Sequence, residues 1–372
     1  MNTSTWRSSL VAGSLLAISI SAQAEILIGQ TAGVSGPVAA GVAETIAGAK
    51  LHFDAVNAKG GIKGEQITLV TLDDKFDPKL AGENAKKLIT ENKVLALFLT
   101  RGTPHTQAIM PLLAEHKIAL VGPSTGAMLL HNPVNPYIFN VRTSYQLEAE
   151  KAVDYLATLG LNRVAVIHAD DSFGADVLEG ANRGFAKGKI VPIAVIKADR
   201  QKPDYTQISP VILKNNPQAV LWVGSGNAVA EGVKLLRAAG YEGTFITQSN
   251  NASGGFIKSL GEASRGVIVS QVFPNERAYG QPMVKEARDL AAAKNVKEIT
   301  PAMLEGFAAA KVLVEGLRRA GPNPTRKKLL TALEEIKKFV IGGMDITYGP
   351  EDHTGLDFVD LSIIGKDGKF RR

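Results

Sequence analysis

The chain has 372 residues, 45% of them hydrophobic and 21% charged, with a formal net charge of +6. That balance excludes a disordered chain and provides enough length for two lobes, each with its own core. The absence of cysteine excludes disulfides, thiolate catalysis, cysteine-ligated metals and a lipidated cysteine anchor.

The first segment carries Arg7, an apolar run from Leu10 to Ile20 and then Ala22-Gln23-Ala24, the order of a secretory signal peptide, with cleavage expected after Ala24. The run is well short of the ~20 residues that span a bilayer, which argues against a membrane anchor. Removing residues 1–24 takes away Arg7 and no acid, so the mature charge falls from +6 to +5. Every later apolar run has strand length and polar boundaries, so a diffusible periplasmic protein is expected.

After the cut, strands and helices alternate in the rhythm of parallel sheets. Ile26 to Gly29 reads as a strand, Val42 to Asn57 as a helix, Ile67 to Leu72 as a strand, and Pro78 to Glu91 as a helix with proline in its first turn. Leu95 to Leu99, a helix over Pro104 to His116, and the strand Ile118 to Val121 complete a first doubly wound lobe. A second round begins with a helix over Tyr145 to Leu159. Strands Val164 to Ile167, Val191 to Val195, Ala219 to Val223 and Thr244 to Thr247 then alternate with helices starting near Phe173, Tyr205 and Asn227. The stretch from Gln281 to Lys337 is helix-rich, and Phe358 to Ile364 alternates like a strand.

In doubly wound sheets, ligands bind beyond the carboxyl ends of the strands, at helix N-termini with unpaired N–H groups. The corresponding loops are Thr31 to Pro37, Thr100 to Pro104, Gly122 to Gly126, Asp170 to Gly174, Gly224 to Asn227 and Gln248 to Gly255. Most are rich in glycine and small polar residues, which suit a polar ligand and equally suit ordinary capping.

Other chemistries fit less well. Gly122-Pro123-Ser124-Thr125-Gly126 matches the G-x-S-x-G of a nucleophile elbow, but only Ala127 to Leu130 precede His131-Asn132-Pro133, too few residues for the buttressing helix. A secreted hydrolase using Ser124 would need a base such as His353, which lies in a turn-like sequence. Gly224-Ser225-Gly226 opens like a dinucleotide fingerprint, yet Val229 stands where the third glycine belongs, so no nucleotide cofactor is expected. The six histidines show no metal-ligand spacing, and Asp73-Asp74 reads as loop capping, so no metal is expected. Basic residues are scattered, and Arg326-Lys327-Lys328 has no interleaved aromatics, which argues against nucleic acid.

Four sequence features carry a family resemblance: Ser35-Gly36-Pro37, the run from Asn57 to Gly64 (NAKGGIKG), Asp73-Asp74 with Asp77-Pro78, and Arg237-Ala238-Ala239-Gly240. With them, nearly the whole mature chain resembles the leucine/isoleucine/valine-binding protein family of bacterial ABC importers. The resemblance implies two Rossmann-like lobes of the type I periplasmic binding protein fold, joined by three hinge crossings near Arg142-Thr143, Phe273-Pro274 and Asp357-Phe358. Lobe 1 would comprise 25–142 plus 274–357, and lobe 2 would comprise 143–273 plus 358–372. It also implies a non-enzymatic, monomeric receptor that closes on its ligand and docks on a membrane permease. A ligand-sensing receptor for a chemoreceptor or kinase is the alternative.

Carried over residue by residue, the family's carboxylate site falls on Thr103 and on Ser124, Thr125 and Gly126. The rest departs from the pattern. A family tyrosine becomes Phe173, another falls at Ser225, and an aromatic lid position falls at Gly41. The acid that pairs with an amino group falls at Ser249, beside Asn250, and no acid occurs from Ile246 to Ser259. A buried ammonium without a carboxylate partner is costly. The expected ligand is therefore a carboxylate or amide, larger than leucine or aromatic, with Phe173 as apolar wall. Trp222 is a second wall candidate but reads better as strand packing, and Arg101 offers a counter-charge if it is not simply solvated.

Overall fold

The computed structural model describes residues 25–372, so the expected signal peptide lies outside the described residues. The first sheet contains β1 (Glu25–Ala32), β2 (Gln66–Asp73), β3 (Ala96–Phe98), β4 (Leu120–Val121) and β5 (Ile138–Phe139), all parallel, in the order β2-β1-β3-β4-β5. Between them run α1 (Ala39–Asn57), α2 (Pro78–Thr90) and α3 (Thr103–His116). Asp77 caps α2 by accepting the Leu80 N–H, with Pro78 at the first helical position where its missing donor costs nothing. Asp73 and Asp74 do the turn capping expected of them: Asp73 accepts from the Ser35 and Lys75 amides, and Asp74 accepts from the Phe76 amide and the Thr31 hydroxyl.

The chain then enters α4 (Tyr145–Thr158), capped by the Ser144 hydroxyl, and builds a second sheet. Its elements are β6 (Val164–Ala169), α5 (Ser172–Gly188), β7 (Ala194–Ala198), α6 (Tyr205–Asn215), β8 (Ala219–Val223), α7 (Gly226–Ala238), β9 (Thr244–Thr247), α8 (Gly254–Leu260) and β10 (Ile268–Gln271). The side chains of β6 and β8 are buried along their whole length, as expected for parallel strands covered on both faces. One strand expectation is corrected. The strand placed at Val191 to Val195 lies at Ala194–Ala198, and Val191 is exposed, because Pro192 withholds a donor and Ile193 makes the first ladder bond, to Val164.

Next come α9 (Pro282–Ala293), α10 (Pro301–Ala320), α11 (Arg326–Glu334) and a small antiparallel pair, β11 (Phe339–Val340) and β12 (Asp345–Ile346). Finally β13 (Asp360–Ile364) joins β10 antiparallel and β14 (Phe370–Arg371) closes the edge, giving β14-β13-β10-β9-β8-β6-β7. Three connections therefore link the two sheets, at 140–144, 272–281 and 347–359.

Helix α10 is buried over most of its length and packs on α1 at unusually close range. A Cβ at Gly48 would lie 1.9 Å from the Met303 carbonyl oxygen, and one at Gly306 would lie 1.8 Å from that of Thr45. Only glycine lets the two backbones approach so closely. With α9 and α11 these helices complete the apolar core against the first sheet.

Both sheets place an early strand between two later ones, β1 between β2 and β3, and β6 between β7 and β8. In this strand order the chain winds first to one side and then to the other, leaving a crevice at the switch point. The loops after β1 and β3 in the first lobe face those after β6 and β8 in the second, and the lobes touch across the gap. Glu44 accepts the amides of Gly254 (3.0 Å) and Gly255 (2.8 Å), and Gln201 donates to the Phe76 carbonyl at 3.1 Å.

Candidate functional site

Thr103 opens α3, placed there by Gly102 at φ +96, a left-handed conformation that favours glycine. Its hydroxyl lies 2.8 Å from that of Thr125, in the loop after β4, and both residues are fully buried. Beside them Arg101 donates from Nη1 to the Ser124 hydroxyl at 2.8 Å and from Nη2 to the Asn250 carbonyl at 2.6 Å, across the interlobe gap. Thr103, Ser124, Thr125, Arg101 and Asn250 thus come together at the switch point. Arg101 is only 6% exposed, which rejects the solvated reading, and among the described residues it has no carboxylate partner.

Phe173 starts α5, whose N-terminus is capped by the Asp171 carboxylate through the amides of Phe173 and Gly174. Its fully buried ring meets the Tyr145 ring edge-on at 4.9 Å. Ser225 donates its hydroxyl to the Arg200 carbonyl at 3.0 Å, fixing the loop after β7. A Cβ at Gly41 would lie 3.8 Å from both Arg101 Nη2 and the Ser253 hydroxyl. The space of an aromatic lid is therefore filled by polar side chains, around a cavity of about 20 Å³ lined in part by Pro37, Gly41, Arg101, Asn250 and Ser253.

Two expectations need correction. Gly126 does not offer an open loop to a ligand: a Cβ there would fall 2.5 Å from the Thr143 carbonyl, and its own carbonyl is held by the Tyr145 amide. Trp222, in keeping with its reading as strand packing, sits 2% exposed in the core of the second lobe, between Tyr205 and Phe245. Most consequentially, the stretch around Ser249 lacks an acid in sequence but not in space. Glu148, from α4, accepts the Ser249 amide (2.9 Å) and hydroxyl (3.0 Å), the Ser270 hydroxyl and the Arg142 guanidinium.

The Glu148 carboxylate is already committed. Arg142 pairs with it and also donates to the Ser249 hydroxyl at 2.9 Å, with Glu305 3.9 Å away. Burial pushes the Glu148 carboxyl up, against the pull of Arg142, Ser270 and Ser249, and every hydrogen bond around it is donated to its oxygens, so both serve as acceptors. Ser249 is consequently part of this ion-pair network at the 140–144 crossing rather than a free contact. An ammonium entering here would have to compete with a guanidinium for the same oxygens.

The sequence reading missed five further site residues. Phe76 stacks on His105 at 4.3 Å, the Arg200 guanidinium lies 4.8 Å from the Phe76 ring centre and 4.4 Å from that of Phe173, and Arg142 lies 4.4 Å from that of Tyr145. Arg200 follows β7 by two residues, and the misplaced strand had put it five residues beyond the strand end. His105, two residues into α3, was visible in the loop-to-helix segment but carried no motif.

Nothing in this arrangement performs covalent chemistry. The Ser124 hydroxyl is held by Arg101, whereas His353 lies elsewhere, stacked on Phe139 at 4.2 Å. Among the described residues no helix is long and apolar enough to cross a membrane.

Comparison with known proteins agrees with this geometry. The chain is 27% identical over 360 residues to the Leu/Ile/Val-binding protein BraC3 of Rhizobium johnstonii, covering 94% of each chain. A substrate-binding periplasmic protein from Ralstonia solanacearum superposes with a TM-score of 0.85 at 30% identity, covering 93% of this chain and 99% of that one. A possible leucine/isoleucine/valine-binding protein from Rhodopirellula baltica gives 0.88 at 25% identity, covering 94% and 96%. The family model described as periplasmic binding protein matches residues 25–361. With two doubly wound lobes facing each other across a polar crevice, this chain belongs to the periplasmic binding protein family, is similar to Leu/Ile/Val-binding proteins over nearly its whole length, and is a solute-binding protein rather than an enzyme.

Proposed function

We propose that the protein is the exported solute receptor of an ABC importer, and that its lobes, 25–142 with 274–357 and 143–273 with 358–372, close on a small ligand bearing a carboxylate and no ammonium group. The observation that carries this reading is Arg101, a buried guanidinium that among the described residues has no carboxylate partner, beside the Thr103 and Thr125 hydroxyls at the start of α3. A buried charge needs a counter-charge, and a ligand carboxylate supplies one through charge-assisted hydrogen bonds. The helix N-terminus adds a positive field of the same sense.

The second reading is a branched-chain amino acid, which relatives such as BraC3 bind by name. Against it stands the commitment to Arg142 of Glu148, the acid that Ser249 contacts. On either reading the mechanism is hinge closure: one lobe captures the ligand, the other closes over it, and a permease recognises the closed form.

The test is thermal unfolding of the purified protein with organic carboxylates, amides, leucine and valine. A ligand at ~1,000 times its dissociation constant adds about 4 kcal/mol of stability. Stabilisation by carboxylates and not by leucine or valine is expected, with loss of about 1.5–3 kcal/mol of binding for each hydroxyl removed in Thr103→Ala/Thr125→Ala. Stabilisation by leucine, or undiminished affinity in the double variant, refutes the site assignment.

A further inference from the structure

Arg200 belongs to the second lobe, and its side chain is 10% exposed. A guanidinium has five N–H donors, yet among the described residues this one makes a single side-chain hydrogen bond, from Nη1 to Asp171 Oδ2 at 3.2 Å, and its Nε has no partner. Asp171 is itself shared, because its other oxygen caps α5. Two aromatic faces, Phe76 from the first lobe and Phe173 from the second, hold the guanidinium plane between them. Among the described residues the buried imidazole of His105, stacked on Phe76, makes no hydrogen bond of ordinary geometry.

Arg101 from the first lobe lines the small cavity beside Gly41, Gly226 and Asn250, and Arg200 from the second lobe lines a second cavity with Phe76, His105 and Asp171. Burial holds Arg200 below the ordinary arginine range; Asp171 opposes that effect and the Arg101 charge adds to it. Of the two guanidiniums, among the described residues, only Arg200 has a carboxylate partner, Asp171, which also caps α5. Their remaining donors suit acceptors that a ligand brings into the gap between the lobes. Arg200 also stands beside the two positions, Phe173 and Ser225, where the family resemblance implies tyrosines, and Ser225 holds its backbone in place. Smaller or less polar side chains there leave room for a guanidinium.

We propose that Arg200 is a specificity-determining ligand contact and that the ligand is a dicarboxylate, with one carboxylate on Thr103, Thr125 and Arg101 and the other on Arg200. This rests on the carboxylate-receptor reading above and narrows it to a substrate class. Arg200 presents a planar fork, which suits a terminal carboxylate better than a hydroxyl or an ether oxygen.

The experiment measures affinities of the purified protein for succinate, glutarate, adipate and terephthalate against butyrate and benzoate, at fixed ionic strength, for wild type, Arg200→Gln and Arg200→Lys. At least one diacid is expected to bind tenfold or more tightly than the monoacids. Arg200→Gln should cost the diacids tenfold or more beyond whatever it costs the monoacids, and Arg200→Lys, which keeps the charge without the fork, should fall between. Equal binding of diacids and monoacids by wild type, or an equal loss of both in Arg200→Gln, overturns the proposal and leaves the carboxylate reading standing. Failure of every acid to bind overturns both. A melting curve of each ligand-free variant separates loss of the contact from loss of the fold.

Discussion

Glu148 sits where α4, β9, β10 and the 140–144 crossing converge, and it is the most informative single position to perturb. Glu148→Gln keeps the size of the side chain but removes its charge and turns one acceptor into a donor. That donor would face the Arg142 guanidinium or the Ser249 amide and hydroxyl, none of which can accept in its present arrangement without breaking a bond. Arg142, 1% exposed, would be left with only Glu305 at 3.9 Å as a counter-charge. Removing one partner of a buried ion pair typically costs about 3–5 kcal/mol, because the remaining charge stays buried. For a chain of this size, about 2 °C per kcal/mol puts the fall in Tm at roughly 6–10 °C. Differential scanning calorimetry measures it directly. The control is Arg142→Met/Glu148→Met, which removes both charges together and should recover most of the loss. If Glu148→Gln melts within about 1 °C of wild type, or if the double variant is no better than the single one, then Glu148 is not the ionised centre of this network. In that case its acid would be free to serve a ligand ammonium after all.

Acid should destabilise the protein through buried histidines. Burial lowers His52 to about 3 and His105 and His131 to about 4. The unfolded chain therefore takes up protons first; stability is full above about pH 6.5 and lost as pH falls toward 4, on the order of 2 kcal/mol per histidine by pH 5. Asp74, raised by burial to about 6, works in the opposite direction and offsets part of the loss. A Tm that stays flat from pH 7 to 5 contradicts the burial of neutral histidines, and His131→Leu should lessen the slope. Trp222→Ala should cost about 3–5 kcal/mol of stability by leaving a cavity, with ligand affinity unchanged. Gly232→Ala should also destabilise, by about 1–3 kcal/mol, because its Cβ would lie 1.8 Å from the Trp222 ring. Loss of ligand binding in either variant without loss of stability would return Trp222 to the cleft wall.

Much of the architecture was legible in the chain itself because it rests on local rules. The runs Ala219 to Val223 and Thr244 to Thr247 match β8 and β9 residue for residue, and Pro78 marks the start of α2. The strand near residue 195 slipped because Val191 and Val195 carry the apolar pattern while Pro192 breaks the ladder, so composition and hydrogen bonding disagreed locally. The same pattern reading marks the loops at the switch points, and the family resemblance singles out Thr103, Thr125, Phe173 and Ser225 within them.

What the sequence determined without help was the order of elements, the two doubly wound lobes and the loops from which a ligand site would be built, since each follows from periodicity, caps and glycine positions within a few residues. Tertiary structure alone decided which charges meet. Glu148 reaches Ser249 across 101 positions and Arg101 reaches Asn250 across 149, while Arg200 lies between phenylalanines that belong to different lobes. Partnership between buried charges is set by the packing of distant elements and has no local signature. The acid that seemed missing was therefore present but spent, and a buried arginine with donors to spare went unnoticed.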